Sequence, residues 1–193
     1  VYNEEDESVA KLVEEAENYF RKMPYKTPNY ETKNGKTSVE TEMGQIPLKI
    51  FGKHNLLNLE GARLICNQLG ILDEDFYEAM MSFSGASKRL EKVKRNDDVI
   101  LYRDFAHAPS KVKASVDAFA EQFPAMKKVG VLELHTYSSL NPEFLPQYKN
   151  TLAQLEEAVV FYDLEALKIK NMTPISPELI KESFGKENLQ VFT

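Results

Sequence analysis

From Ser8 to Arg21, the apolar residues Val9, Leu12, Val13, Ala16, Tyr19 and Phe20 recur at helical spacing among Glu and Lys, which predicts an amphipathic helix. Met23-Pro24 ends it, and Pro24 and Pro28 mark an extended connector. Thr37 to Thr41, then Met43-Gly44-Gln45, then Ile46 to Phe51 predict a β-hairpin turning near Gly44. A helix over Leu56 to Leu69 follows, with Gly70 in the C-cap role, and Asp73 opens another that runs to Met81.

Beyond Ser82-Phe83-Ser84-Gly85-Ala86-Ser87 the pattern changes. Strand Val99 to Tyr102, helix Lys111 to Phe123, strand Val129 to Leu134, helix Glu143 to Leu155, strand Val159 to Tyr162, helix Pro177 to Phe184 and strand Leu189 to Phe192 alternate. Such alternation predicts βαβ units with right-handed crossovers and a mainly parallel sheet. The small-residue segment is short and follows a completed helix pair, so it is the expected junction between a part over residues 1–83 and a part over 84–193.

With 193 residues and 42% hydrophobic content, the chain can bury a substantial core. A net charge of −6 argues against a broad nucleic-acid surface, which needs clustered Lys and Arg, but leaves room for a local anion site. The single cysteine, Cys66, excludes an intrachain disulfide and reads as a buried, inert thiol in Leu64-Ile65-Cys66. No apolar run approaches the roughly 18 residues that span a bilayer, and the acidic start Val1-Tyr2-Asn3-Glu4-Glu5-Asp6 is unlike a signal peptide. A soluble, cytoplasmic chain without a membrane partner is expected. A first residue that is Val, and an end at Gln190-Val191-Phe192-Thr193 that reads like a strand interior, suggest a piece of a longer protein.

The stretch Arg103-Asp104-Phe105-Ala106-His107-Ala108-Pro109-Ser110 sets an acid and a histidine where a strand gives way to a helix, with Ser110 suited to cap the helix from Lys111. Ligands of open α/β sheets bind at the carboxyl ends of strands, where helix N-termini favour anions. Glu133-Leu134-His135-Thr136-Tyr137-Ser138-Ser139 repeats that chemistry, and two neighbouring parallel strands would bring His107 and His135 to one crevice. His54, Asn55 and Asn58 follow another strand. Asn55 and Asn58 lie one helical turn apart, so their amides share a face suited to an adenine edge, although Asn55 equally suits a helix cap. In Lys88-Arg89-Leu90-Glu91, the planar fork of Arg89 suits a phosphate or carboxylate, while such charge runs are commonly just solvated.

Other patterns exclude chemistry. Asn34-Gly35-Lys36-Thr37 has the tail of a phosphate-binding loop, but Tyr30 stands where its first glycine belongs, so a turn is expected. Neither histidine has a cysteine or second histidine at metal-ligand spacing, which argues against a protein-only metal cage. There is no Gly-x-Ser-x-Gly elbow, and Cys66 falls in mid-helix, so a serine or cysteine nucleophile has little support.

Taken in order, Phe51-Gly52-Lys53-His54-Asn55-Leu56-Leu57-Asn58, Leu69-Gly70-Ile71, Ser82-Phe83 to Arg89-Leu90-Glu91, and Asp104-Phe105-Ala106-His107-Ala108-Pro109 resemble the Mur ligases, the ATP-dependent ligases of peptidoglycan precursors. The resemblance covers roughly residues 45 to 140. It implies an α/β fold in which the end of a central ATPase domain, residues 1–83, precedes a Rossmann-like, mainly parallel C-terminal domain, residues 84–193, truncated at its end. Within the family it is nearest to the UDP-N-acetylmuramate ligases, particularly the murein peptide ligase branch that attaches recycled tripeptide.

The resemblance implies that His54, Asn55 and Asn58 line the adenine, that Arg89 reaches the ATP phosphates or ribose, and that Asp104 binds the ribose hydroxyls. His107, Ser110, His135, Thr136 and Ser139 would lie toward the incoming amine, with no side chain assigned as general acid or base. ATP and Mg2+ are the implied cofactors, and UDP-N-acetylmuramate with alanine or murein tripeptide the implied partners. In the family reaction ATP phosphorylates a carboxylate, the amine attacks the acyl phosphate, and phosphate leaves while magnesium stabilises charge. The family's phosphate loop, magnesium ligands, modified lysine and UDP-sugar domain are not in this sequence, so it is expected to be inactive by itself. Arg103 stands where a second acid is common, and Ala108 where a second histidine is common. Two alternatives are a non-catalytic Rossmann-like binding module and a folylpolyglutamate synthetase-like ligase.

Overall fold

Asp6 decides where regular structure begins: after the short strand Tyr2–Asn3 (β1), its carboxylate accepts from the amides of Ser8 and Val9 and caps helix Glu7–Glu15 (α1). The computed structural model describes residues 1–17 and 20–193. Within it, α1 stops short of the expected Arg21, Ala16 is already extended, and Tyr19 of the expected stripe lies outside the described residues. No residue of α1 is buried, and a short helix without a packed face has little to lengthen it. The chain divides into two units, residues 1–86 and 87–193, with the division inside the Ser82 to Ser87 segment.

In the first unit, Pro24–Tyr25 (β2) pairs in parallel with β1. Glu5 fastens this region: its carboxylate accepts from the amide and hydroxyl of Thr27 and pairs with Lys53 at 3.2 Å. Those hydrogen bonds, Thr27 first, hold the Glu5 carboxyl down at about 2. An antiparallel sheet follows, from Tyr30–Lys33 (β3), Lys36–Thr41 (β4) and Gly44–Leu48 (β5). Asn34 and Gly35, at φ 51° and 70°, make the two-residue left-handed turn between Lys33 and its partner Lys36. The strand before that turn was not apparent in the sequence, because Tyr30-Glu31-Thr32-Lys33 carries no apolar alternation.

Helices Lys53–Gln68 (α2) and Asp73–Ser82 (α3) close this unit. Between them Gly70 takes φ 86°, and the amides of Gly70 and Ile71 return to the carbonyls of Asn67 and Cys66. Arg63 bridges the pair, binding Glu60 on its own helix and Asp73 on the next at 2.9 Å. Glu60 chiefly raises the Arg63 guanidinium. Desolvation opposes ionisation of Asp73, yet hydrogen bonds from Asn67 and Arg63 leave its pKa lowered. Val39, Leu48, Ile50, Leu56, Phe76 and Tyr77 belong to the core, and Cys66 packs against it half-buried rather than within it.

The second unit carries a parallel sheet, as expected of a mainly parallel α/β domain, and in addition one antiparallel strand pair. Glu91–Arg95 (β6) and Ile100–Arg103 (β7) pair antiparallel in a sheet of their own. Helix Pro109–Gln122 (α4) leads to Val129–Leu134 (β8), Glu157–Tyr162 (β9), helix Leu164–Ile169 (α5), helix Pro177–Phe184 (α6) and Gln190–Phe192 (β10). The last three strands form a parallel sheet in the order β10-β9-β8. The expected helix over Glu143 to Leu155 is a single 3₁₀ turn, Leu145–Tyr148, followed by tight turns. Asn150 at φ 63° cannot continue a right-handed helix. Even so, Leu145, Tyr148, Leu152 and Leu155 reach the core that the helix would have served. Gly130 in β8 admits Leu155, whose Cδ1 would lie 2.5 Å from an added Cβ. Among the described residues no helix is long and apolar enough to cross a membrane.

Glu5 ionises far below an unfolded glutamate, at about 4.3, so its contribution to stability is complete above that value and is lost as pH falls toward about 2. Glu5→Gln is expected to flatten the fall in stability between pH 5 and 2. Urea unfolding at several pH values measures this, and identical slopes in both proteins would remove the role.

Candidate functional site

The backbone after β7 is built around one carboxylate. Asp104 Oδ1 accepts from the amides of Leu90 at 3.2 Å and Phe105 at 2.9 Å, and Oδ2 accepts the hydroxyl proton of Ser115 on α4. The Phe105 amide also donates to the Lys88 carbonyl at 2.8 Å. Lys88 and Leu90 occupy left-handed backbone, at φ 58° and 42°, which costs on the order of 1–3 kcal/mol each. Hydrogen bonds to a charged acceptor, at about 1.5–3 kcal/mol each, offset that cost. Arg89 stands exposed between these two residues. Glu91 receives the Lys88 amide and Arg103, and both, the amide first, hold its carboxyl below the ordinary range.

At the far end of the loop, His107 is fixed from two sides. Its Nδ1 lies 3.0 Å from the Phe105 carbonyl, and its own carbonyl accepts the hydroxyl proton of Tyr148. Tyr148 is 0% exposed, and burial pushes its phenol up to about 12. The imidazoles of His107 and His135 come within 6.1 Å, centre to centre, with the Phe105 ring 5.2 Å from the first and 6.1 Å from the second. His135 Nδ1 is buried and has no hydrogen-bond partner among the described residues.

The two histidines therefore meet, but not on hydrogen-bonded neighbouring strands. β7 belongs to the antiparallel pair, and the loop rather than the sheet carries His107 to His135. Ser110 is not the cap of α4: Pro109 occupies the first turn, Ala108 is the N-cap, and Ser110 lies inside the helix, exposed. Thr136 and Ser139 bind each other, the Ser139 hydroxyl accepting from the Thr136 amide at 2.9 Å and donating to the Thr136 carbonyl at 3.1 Å. Ser139 is 1% exposed, so its place is behind the turn that presents His135 and Thr136.

His54, Asn55 and Asn58 stand on the first turns of α2, in the other unit. That helix starts at Lys53 with Gly52 as its cap, at φ 86°, so Asn55 is not the cap residue. Its amide instead donates to the Phe51 carbonyl at 2.9 Å, leaving Asn58 exposed one turn on.

Ser115 and Tyr148 escaped the sequence reading. Ser115 was visible in principle, as a hydroxyl inside the apolar stripe Val112, Val116 and Phe119. Tyr148 gave no comparable signal, since its hydroxyl finds a partner 41 positions away in the chain. Among the described residues no cluster of three or more His, Cys, Asp or Glu could hold a metal ion. The chemistry on offer is a pair of imidazoles and an anchored acid, presented by a loop pinned at both ends.

Tyr148→Phe deletes the donor to the His107 carbonyl and is expected to cost about 1–3 kcal/mol, the penalty of a buried unsatisfied acceptor. Urea denaturation measures the loss, and the His107 imidazole resonances should shift while those of His54 stay in place. Unchanged stability together with unchanged resonances would show that this bond does not hold the loop.

No family model matches the chain. The UDP-N-acetylmuramate–L-alanine ligase of Caldicellulosiruptor bescii is 32% identical over 149 residues, which are 77% of this chain and 31% of that protein. The corresponding ligase of Gloeobacter violaceus is 31% identical over 138 residues, 72% of this chain and 29% of that protein. The chain thus spans about a third of the length of the curated relatives it matches. Among solved structures, MurF from Acinetobacter baumannii superposes with a TM-score of 0.67 over 99% of this chain and 42% of its own, at 17% identity. The UDP-N-acetylmuramate–alanine ligase of Thermotoga maritima gives 0.64 over 86% and 36%, at 18% identity. Folylpolyglutamate synthase of Mycobacterium tuberculosis, solved with ADP and AMPPCP, gives 0.58 over 86% and 37%, at 16% identity. The structural likenesses establish a shared α/β fold, and the sequence relatives narrow it: the chain belongs to the Mur ligase family.

Proposed function

We propose that the chain is the nucleotide- and amine-facing part of a cytoplasmic ATP-dependent ligase that joins an amino acid or peptide amine to the carboxylate of UDP-N-acetylmuramate. The observation that carries this reading is the meeting of His107 and His135 at a loop anchored by Asp104, within a chain whose curated relatives are UDP-N-acetylmuramate–L-alanine ligases. Residues 1–83 then correspond to the end of the central domain and 84–193 to the C-terminal domain.

In this reading His54, Asn55 and Asn58 face the adenine. Arg89, held out between two left-handed residues, reaches phosphate or ribose. Asp104 spends three of its roughly four acceptor positions on the loop, which leaves one for a ribose hydroxyl. His107, His135 and Thr136 face the amine, Ser139 acts by shaping their turn, and Ser110 presents its hydroxyl from the start of α4. The described residues do not themselves form a magnesium cage. What they supply is position, on which transfer between bound reactants depends alongside charge placement. A folylpolyglutamate-type activity would share the fold, yet the relatives above 30% identity over most of this chain are alanine ligases.

In the intact enzyme, Asp104→Ala removes a ribose contact together with the three hydrogen bonds that anchor the loop and is expected to raise the KM for ATP by at least about tenfold, while His135→Ala raises the KM for the amine. Steady-state phosphate release with alanine and with tripeptide measures both, and unchanged KM values in both variants would remove the assignment. The 193-residue chain alone is expected to bind ATP more weakly than micromolar and to release no phosphate. Titration calorimetry showing micromolar affinity would contradict that.

A further inference from the structure

The turn after β8 is associated with two polar groups that the fold leaves unspent. One is His135 Nδ1, buried without a hydrogen-bond partner among the described residues. The other is the ammonium of Lys170, the residue that ends α5. Its Nζ lies 4.2 Å from the centroid of the Tyr137 ring, so the end of α5 is fastened to the turn two residues after His135.

An aromatic face attracts an ammonium through its quadrupole and leaves most of the three N–H donors for other acceptors. Among the described residues no carboxylate or carbonyl accepts from Lys170 Nζ. Other lysines of this unit are held differently. Lys168 on the same helix pairs with Glu165 at 2.6 Å, and Lys127 and Lys128 before β8 pair with Glu157 and Glu156. Acidic residues outnumber basic ones 30 to 24 in this chain, yet none of those described pairs with the half-buried Lys170. The core does not account for the ring beneath it either, since Tyr137 is 64% exposed.

We propose that Lys170, held over Tyr137, binds the carboxylate of the incoming amino acid or peptide and so selects amines that carry a carboxylate over neutral ones. The inference rests on the functional reading above, in which His135 and Thr136 face the amine. An amino acid carries its amine and its carboxylate on one carbon, so a cation that reads the second must stand beside the turn that meets the first. Tyr137 provides that placement: it follows Thr136 directly, and its ring carries the ammonium.

Both partners are set on fixed backbone. The Thr136 amide donates to Ser139 Oγ at 2.9 Å and the Ser139 amide to Thr136 Oγ1 at 3.1 Å, which closes the turn around Tyr137. Directly after Lys170, Asn171 takes φ 51° and the Met172 amide returns to the Leu167 carbonyl at 3.0 Å, which ends α5 at a defined point. Between these anchors only the lysine stem adapts. A compact ammonium with rotatable donors suits a carboxylate whose position shifts from one amine to another.

The test compares alanine with alaninamide, which keeps the amine and lacks the carboxylate, in the intact enzyme and in its Lys170→Met, Lys170→Arg and Tyr137→Leu variants. Methionine keeps an unbranched stem against the ring and removes the charge. Lys170→Met is expected to raise the KM for alanine at least about tenfold, as losing one charged hydrogen bond would, and to leave the KM values for alaninamide and ATP unchanged. Lys170→Arg should restore most of the affinity for alanine, and Tyr137→Leu should lose part of it. Circular dichroism verifies that each variant is folded. An unchanged KM for alanine in Lys170→Met, or an equal rise for both amines, would overturn the proposal. Failure of the functional reading is a separate result: the unsubstituted enzyme then releases no phosphate with any amine. Acylation of Lys170, followed by mass spectrometry, still reads the carboxylate site in that case. Alanine or tripeptide, but not alaninamide, is expected to slow the acylation, and equal rates with all three would overturn the proposal.

Discussion

The carboxylate of Asp104 is the constraint on which the rest of the second unit's site depends. It draws the Leu90 amide, the Phe105 amide and the Ser115 hydroxyl to one point, and so joins the segment after the domain junction, the loop after β7 and the face of α4. Each of these is individually unfavourable or loosely determined: left-handed backbone at Lys88 and Leu90, a loop without regular structure, and a hydroxyl in an apolar helix face. One ionised acceptor makes them mutually supporting, because a buried donor is costly to leave unpaired and a charged acceptor rewards pairing most. Tyr148 completes the arrangement from the opposite end by holding the His107 carbonyl.

Both units show the same division between what fixes a backbone and what faces outward. In the first, Arg63 locks α2 to α3 and Glu5 locks the N-terminal strand, while Asn58 and the partly exposed face of His54 are left on the surface of α2. In the second, Ser139 and Tyr148 are consumed by structure so that Thr136, His135 and His107 are presented. Catalysis that depends on holding reactants in place draws on such prepaid order, since the ordering cost is met in folding rather than at the moment of reaction.

The sequence was most legible where stop and start signals are local. Ser176, Pro177 and Gly185 bound α6 at the residues expected, and the valine- and leucine-rich run of β8 was equally plain. It was least legible where the answer is tertiary. Val99 to Tyr102 reads as a strand whatever its partner, and nothing local distinguishes pairing with β6 from pairing with β8. Leu145, Tyr148, Leu152 and Leu155 keep helical spacing, yet Asn150 breaks the helix and the same side chains reach the core from turns. The histidines were found by strand-end logic, and they do converge, though a loop rather than a shared sheet brings them together. Ser110 and Asn55 suit helix caps by residue type, but Ala108 before Pro109 and Gly52 before α2 take those positions.

The open edge of β8 has a consequence for how the molecule behaves in a crowd. Val129 and Val131 stand 57% and 74% exposed on a strand with unused hydrogen-bonding groups, a surface that any second extended chain could extend as a sheet. Lys127 and Lys128 just before the strand and Glu133 within it act as gatekeepers, since an incoming strand must bury or oppose those charges. Salt screens such charges, so it weakens the guard they place on this edge.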